Sequence, residues 1–493
     1  MSEAKKALTG SIILVFTKIS QKLLGLVSTL VLARILLPED FGIIAISLLV
    51  ITFMTTIAES GGREYIIRKD AVDDDDINTF WTLNLCLKTG IVVLVLLLTP
   101  LIAQFYEDQR LIPIIPMLAL MLPLGALVNP ELVICQRNQN YAPLLKIDLI
   151  KKIFAITLSI SAALYFKNYW ALIVGHLSSN LVGLICSYVI FNYRPKLTLI
   201  NIKQQWVFSQ WMLARSILGY TRSQLDNFFV SKFFSASELG GYYISKYISN
   251  MPATDLIAPA LDPLLASYSR TKHSIEELKH QITLTLMIVA STAIPFAAFV
   301  YFNSFEIVKL ILGDSWLEYS SLFAALSLLV IPHTIGIIAG KIITSSGKVR
   351  ILFFYDFISL LTMFFVLYLL RDFSLESFTL GKLFVELIMV SLLLIVATLH
   401  MYKRKLFFIL LLFLTSSLGA FSVGKVLTLF TFHAPVFFEL SFKFAIFAAI
   451  WCVFVFVIFK VFLKNNHAAL HIKFLIGKAM TLLFSKLARF RKS

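Results

Sequence analysis

Residues 33–47, ARILLPEDFGIIAIS, and residues 231–245, SKFFSASELGGYYIS, are written to one plan. Each starts from a cation that closes an apolar run, Arg34 or Lys232. A short polar turn follows, then an acid, an apolar residue and a glycine: Asp40-Phe41-Gly42 in one copy, Glu238-Leu239-Gly240 in the other. The next apolar run opens through Ile46-Ser47 or Ile244-Ser245. Every matched pair is 198 residues apart. A helix-turn-helix that recurs at constant offset marks an internally repeated chain. The segment between the copies decides how the repeats are related.

That segment is apolar. Of 493 residues, 58% are hydrophobic and 15% charged, against roughly 25% charged in an ordinary soluble domain. Many apolar runs reach about 18 residues, the length of a membrane-spanning helix. The chain therefore reads as an all-α polytopic membrane protein. Its net charge of +16 would point to nucleic acid in a soluble protein; here it fits cytoplasmic loops rich in Lys and Arg, and no nucleic-acid partner is expected. Cys86, Cys135, Cys186 and Cys452 form no CxxC pair, so neither a disulfide framework nor a zinc site is indicated. Lys5 and Lys6 precede an apolar stretch with no small-residue cleavage site, read as an uncleaved first span.

Polar breaks bound about 14 spans, near 9–36, 41–60, 79–104, 112–135, 146–166, 169–192, 205–233, 238–266, 281–303, 317–345, 350–370, 376–402, 405–431 and 437–463. Residues 304–316 read as a re-entrant or interfacial piece. With the N-terminus in the cytoplasm, inward loops hold Arg63, Arg68, Lys69, Arg137, Arg194, Lys196, Lys203, Arg270, Lys272, Lys279, Lys348, Arg350, Lys403, Arg404 and Lys405. Outward loops hold only Arg110, Lys167, Lys309 and Arg371, with Arg34 and Lys232 at helix ends. This bias places both termini in the cytoplasm. Six spans, an even number, separate the two copies of the turn, so the repeats are parallel, related by an axis along the membrane normal. The expected organisation is an N-terminal lobe of six spans (1–200), a second six-span lobe (201–404), two appended spans (405–464) and a basic tail (465–493).

The junction LARILLPEDFGIIA followed by RKD, together with SQLDNFFVSKFFSASELGGYYISKYISNMP at the seventh and eighth spans, resembles polysaccharide-repeat flippases of the O-antigen, capsule and teichuronic acid type. These Wzx-type proteins belong to the multidrug/oligosaccharidyl-lipid/polysaccharide exporter superfamily. The likeness is strongest over residues 10–270. It implies an alternating-access carrier in the bacterial cytoplasmic (inner) membrane. The implied substrate is an undecaprenyl-diphosphate-linked oligosaccharide, moved from the cytoplasmic to the outer leaflet for surface polysaccharide biosynthesis. Membrane lipids and other polysaccharide-assembly proteins are the implied partners.

A sugar chain and a diphosphate cannot cross hydrocarbon without a polar, cationic path, and intramembrane cations are default functional candidates. Lys18 and Lys22 share a face of the first span, and Arg215 and Arg222 share a face of the seventh, the repeat-equivalent helix. These four are assigned to the cavity and the diphosphate, against a bland reading in which the lysines snorkel to the interface. Asp226 stands at i+4 from Arg222, placed to pair with it. Asp226, Lys246, Asp255 and Asp262 are candidates for gating or for coupling to a proton or sodium ion, against a reading as ion pairs within the bundle. Asp255 and Asp262 flank Pro259 in a helix already broken at Met251-Pro252. Lys382 and Glu386 read as a local pair.

Weaker signals take the bland reading. Asp73 to Asp76 read as a solvated loop, because the spacing of a calcium loop is absent. His467 and His471 lack a third ligand. His176 and His333 read as packed residues. The tail mixes Ile472, Leu475, Ile476 and Leu483 with Lys473, Lys478, Lys486 and Arg489, the pattern of a basic amphipathic helix on an anionic leaflet. The alternative is a cation-coupled multidrug or lipid II exporter of the same superfamily. An enzyme is not expected: every outward loop is short, no P-loop is present, and no cofactor or metal site is written in the sequence.

Overall fold

The computed structural model describes residues 20–59, 62–261, 263–271, 274–402, 406–430 and 435–462. Lys18, Asp262, Lys403 to Lys405 and the basic tail lie outside the described residues. Every regular element among the described residues is helical.

Helix α1 covers residues 20–35. There follow α2 (Pro38–Ala58), α3 (Gly62–Arg68), α4 (Asp74–Tyr106), α5 (Leu111–Ala119), α6 (Met121–Ala126), α7 (Glu131–Arg137), α8 (Ala142–Phe166), α9 (Trp170–Ile190), α10 (Ile202–Phe233) and α11 (Ala236–Met251). A π-helical turn, Pro252–Ile257, leads to α12 (Ala258–Leu261) and α13 (Pro263–Thr271). Then come α14 (Ile275–Phe302), α15 (Ser304–Ile311), a 3-10 turn (Asp314–Tyr319), α16 (Ser320–Ser327), α17 (Val330–Ser345), α18 (Val349–Leu369), α19 (Leu375–Tyr402), α20 (Leu406–Thr428) and α21 (Val436–Phe462).

Among the described residues nine helical spans are long and apolar enough to cross a membrane, one of them the run Asp314–Ser345 made of the 3-10 turn, α16 and α17; the number is ten if α5 to α7 count as one span bent by 63°. The described residues thus support fewer spans than the number expected, although helix coincides with each expected segment. Four prolines, Pro113, Pro116, Pro123 and Pro130, explain the bend, since each removes a backbone donor. The helix expected to break at Met251-Pro252 does so, passing through the π turn that carries Asp255. Residues 304–319 form two short helical pieces, α15 and the 3-10 turn.

Both copies of the repeated turn cap their helices by one device. Pro38 stands at the first position of α2, and the carboxylate of Asp40 accepts from the Leu37 N–H at 3.1 Å. At α11 the carboxylate of Glu238 accepts from the Ser235 N–H at 2.9 Å and its hydroxyl at 2.7 Å. The acid of each copy therefore closes back on the chain that enters its helix.

The expectation of a solvated loop at 73–76 holds for the exposure of Asp73, Asp74 and Asp75, but the chain is helical from Asp74 and Asp76 is buried. Asp73 caps α4, accepting from the Asp76 N–H at 2.7 Å, and Asp76 reaches back to the Asp73 N–H at 3.3 Å. Asp76 is fully buried and accepts from Lys69 (2.5 Å) and from Asn201 Nδ2 (2.8 Å). Four carboxylates before an apolar run compensate the helix dipole, a reason for helix rather than loop. The hydrogen bond to Asp76 raises the Lys69 amine above the ordinary lysine range.

Packing groups the chain into two compact units. The first comprises the described residues within 20–248, 311–322 and 360–381, and so includes α10, which the sequence places at the start of the second lobe. Within it α8 and α9 form a helical hairpin, and α2 packs on α5 and α10. Its surface is lipid-compatible: Val189 is 77% exposed and Leu97 71%. The second comprises the described residues within 249–310, 323–359 and 382–462. One core there joins α13, α14, α17 and α19 around Tyr268, whose hydroxyl donates to Thr285 at 2.9 Å. Another joins α14, α20 and α21, where Trp451 Nε1 donates to the Ser291 carbonyl at 2.9 Å. Lys443, buried in α21, pairs with Glu439 at 2.8 Å and Glu306 at 3.4 Å.

Candidate functional site: a charged cavity in the first unit

Helices of the first unit enclose a cavity of about 770 Å³. Its wall comes from the last half of α2, α3, the first half of α4, α6, α7, the start of α8 and the middle of α9, with Ser216 of α10. Three cations line it, Arg63, Lys88 and Lys151, with three carboxylates, Glu59, Glu64 and Asp148. Lys151 lies 4.0 Å from Asp148, and its aliphatic stem covers Gly183. Arg63 donates to Gln136 at 2.8 Å. Lys88 differs from both: it is 8% exposed and makes no hydrogen bond or ion pair among the described residues. Along α4, Trp81, Asn84 and Lys88 follow at helical spacing, so one face carries an indole, an amide and an ammonium.

The helix ends remote from this cavity are laced together. Arg110 donates to Glu39 at 2.6 Å and to Asp108 at 2.8 Å. Lys232 donates to the Phe105 carbonyl at 2.5 Å. The Tyr169 N–H donates to Asp40 at 2.9 Å, Trp316 Nε1 to the Ala33 carbonyl at 2.7 Å, and the Ser237 and Tyr319 hydroxyls lie 2.8 Å apart. Hydrogen bonding to Asp108 holds the Arg110 guanidinium above its ordinary range. Burial pushes the Asp108 carboxyl up, but the Arg110 side chain and backbone outweigh it and leave it below the usual carboxylate range.

The residues singled out from the sequence meet different fates. Lys22 lies exposed on α1, one turn before Gly25. The Lys152 amine of α8 lies beside Gly25, 3.0 Å from where a Cβ would stand, with the Tyr247 hydroxyl 3.7 Å from the same point. The charge of Lys22 bears on Lys152. Arg222 is exposed on α10, and for Arg215 only the backbone is described. Asp226 is buried and accepts from Lys246 and from the Tyr242 hydroxyl, both at 2.6 Å. Asp255 is half-buried in the π turn, and Lys382 lies 3.7 Å from Glu386.

Sequence reasoning passed over Lys88 and Lys151 as cavity residues and Lys152 as a neighbour of α1. For Lys88 the signal was present: a lone cation well inside the apolar run 79–104. For Lys151 and Lys152 the lysines were visible, but the glycines that let them approach, Gly183 and Gly25, lie on other helices.

Comparison with known proteins places this arrangement. A family described as polysaccharide biosynthesis proteins matches residues 31–321. The lipopolysaccharide biosynthesis protein WzxC of Escherichia coli (strain K12) is 23% identical over 348 residues, covering 68% of this chain and 68% of that protein. The succinoglycan biosynthesis transport protein ExoT of Rhizobium meliloti (strain 1021) is 20% identical over 295 residues, covering 59% and 60%. Among solved structures, the lipid II flippase MurJ in an inward closed conformation superposes with a TM-score of 0.72 at 15% identity, over 92% of this chain and 100% of that one. At that identity the likeness speaks for the fold alone, that of an all-α, multi-pass membrane protein.

Proposed function

Because this chain belongs to the polysaccharide biosynthesis protein family, we propose that it is a flippase for the lipid-linked repeat unit of a surface polysaccharide. The substrate is an oligosaccharide on undecaprenyl diphosphate, carried from the cytoplasmic to the outer leaflet of the bacterial cytoplasmic membrane. The observation that carries this reading is a charged cavity of about 770 Å³ walled by helices long and apolar enough to span a membrane. Its other end is laced by Arg110–Glu39 and Lys232–Phe105. A headgroup that cannot shed its water needs such a compartment.

In this reading Lys22 and Lys152, like charges on adjoining helices, meet the diphosphate, with Lys18, Arg215 and Arg222 as further cationic contacts. Two ammonium groups brought together favour an anion between them. The prenyl chain stays in lipid. Alternating access follows if the laced end opens as the cavity end closes, with both termini cytoplasmic and the lobes related as parallel repeats. Asp226 with Lys246, Asp255 and Asp262 are the groups that would bind a coupling proton or sodium ion. No cofactor takes part.

Reconstitution into liposomes with a fluorescent prenyl-diphosphate oligosaccharide tests the reading. Wild type should flip it, and Lys22→Ala and Arg222→Ala should lose flipping at normal expression. Efflux of organic cations with no lipid flipping would move the protein to the multidrug branch.

A further inference from the structure

The cavity of the first unit has the wrong charge balance for a diphosphate. Among the described side chains of its wall, Arg63, Lys88 and Lys151 are equalled in number by Glu59, Glu64 and Asp148. A multiply charged diphosphate entering a wall of no net charge would be desolvated without compensation. The rest of the wall is neutral and hydrogen-bonding: Trp81 and Asn84 on α4, Asn180 on α9, Thr52 and Thr55 on α2. Amides and hydroxyls that both donate and accept, beside an indole, form a surface suited to sugar hydroxyls. The Trp81 N–H has no acceptor in this conformation. The cavity volume, about 770 Å³, falls within the roughly 300–1,000 Å³ usual for small-ligand sites.

Lys88 is the exception in this balanced wall. Arg63 and Lys151 are each satisfied by a neighbour, whereas Lys88 is buried with neither hydrogen bond nor ion pair among the described residues, and the charge of Glu59 reaches it only at a distance. An enclosed ammonium without a partner is costly to keep. Gly125 leaves space in front of it: a Cβ there would stand 4.0 Å from the Lys88 amine and 3.9 Å from Asn180 Oδ1. One anionic oxygen and its neighbouring hydroxyl would fill that space and satisfy both groups.

We infer that this cavity is the subsite for the oligosaccharide rather than for the diphosphate, and that Lys88 selects a repeat unit bearing one acidic sugar. The inference rests on the flippase reading and narrows its substrate. The diphosphate is left to Lys22 and Lys152, and the carboxylate of a uronic-acid residue meets Lys88.

Two fluorescent prenyl-diphosphate oligosaccharides, differing only in a carboxylate or a hydroxymethyl group at one sugar, make the test. Wild type should flip the acidic one faster. Lys88→Met should slow it about tenfold more than the neutral one, the worth of one charge-assisted hydrogen bond. Equal losses on both substrates would mean that Lys88 serves the shared diphosphate, and no loss on either would mean that it serves neither; both overturn the inference. Binding of a soluble uronate disaccharide and its neutral counterpart to the detergent-solubilised full chain gives a second readout that needs no variant. Preference for the uronate supports the subsite, and no preference overturns it. Uronate binding by a wild type that flips neither lipid would sink the flippase reading and leave the subsite standing.

Discussion

Gly42 and Gly240 bring their two helices into reciprocal backbone contact. A Cβ on Gly42 would overlap the carbonyl of Ala236, and a Cβ on Gly240 would overlap the carbonyl of Pro38. The four residues are two pairs at the repeat offset, Pro38 with Ala236 and Gly42 with Gly240. A contact that maps onto itself when the copies are exchanged is what a local twofold relation produces. The turn is therefore written twice because the copies pack on each other, and only glycine permits that approach.

Gly42→Ala or Gly240→Ala forces these first turns apart, because the atom in the way is backbone and cannot rotate aside. Overpacking of this kind costs about 1–3 kcal/mol, so closure of the laced end should weaken about tenfold or more. Disulfide trapping between Pro38→Cys and Ala236→Cys, with and without the alanine, reads the separation. Unchanged trapping would show that the turns part freely.

Lys246→Met should be strongly destabilising. It removes the ammonium that lies 2.6 Å from the buried Asp226 carboxylate, and breaking a buried ion pair by removing one partner costs about 3–5 kcal/mol. The double variant Asp226→Asn/Lys246→Met removes both charges and should recover most of the loss in unfolding midpoint. If Asp226 also couples transport to an ion, that folded double variant will flip lipid without dependence on the ion gradient.

Asp76→Ala removes the capping box of α4 and the acceptor for Lys69 and Asn201. Loss of the cap alone costs about 0.5–2 kcal/mol. The chain between α9 and α10, tied to α4 through Asn78, Asp76 and Gln205, should become open to protease. Resistance equal to wild type would mean that the linker is held elsewhere.

Acid should loosen the laced end through Asp108. Its folded value lies below the ordinary 3.8, so its contribution is present above that value and lost as pH falls through the folded one. Asp108→Asn should therefore be less stable than wild type at neutral pH, and the two should converge in strong acid. A gap that persists there would assign the effect to packing.

Much of the fold was legible because it is local. Apolar length and polar breaks mark the long helices, though not short ones such as α3, and Pro252 marks the π-helical break, since a proline withdraws a donor wherever it stands. The acids of the repeated turn announced a junction, and Asp73 with Asp76 carried a capping pattern that was taken for a solvated loop. The candidate site was less legible. Helical spacing places Asp226 to pair with Arg222; Lys246 and Tyr242 also reach it from the next helix, donors that no spacing along α10 encodes. Lys22 was found, but Lys152 beside it belongs to α8, more than a hundred residues away.

Composition alone determined that this chain lives in a membrane as a set of helices, because burying unpaired backbone in hydrocarbon leaves few other structures open to it. The turn repeated at constant offset also determined that the chain is internally duplicated. Tertiary structure decided which charges face a cavity and which face one another. That choice depends on glycines such as Gly25, Gly125 and Gly183, which admit or make room for a side chain from another helix, and no pattern along one helix encodes it.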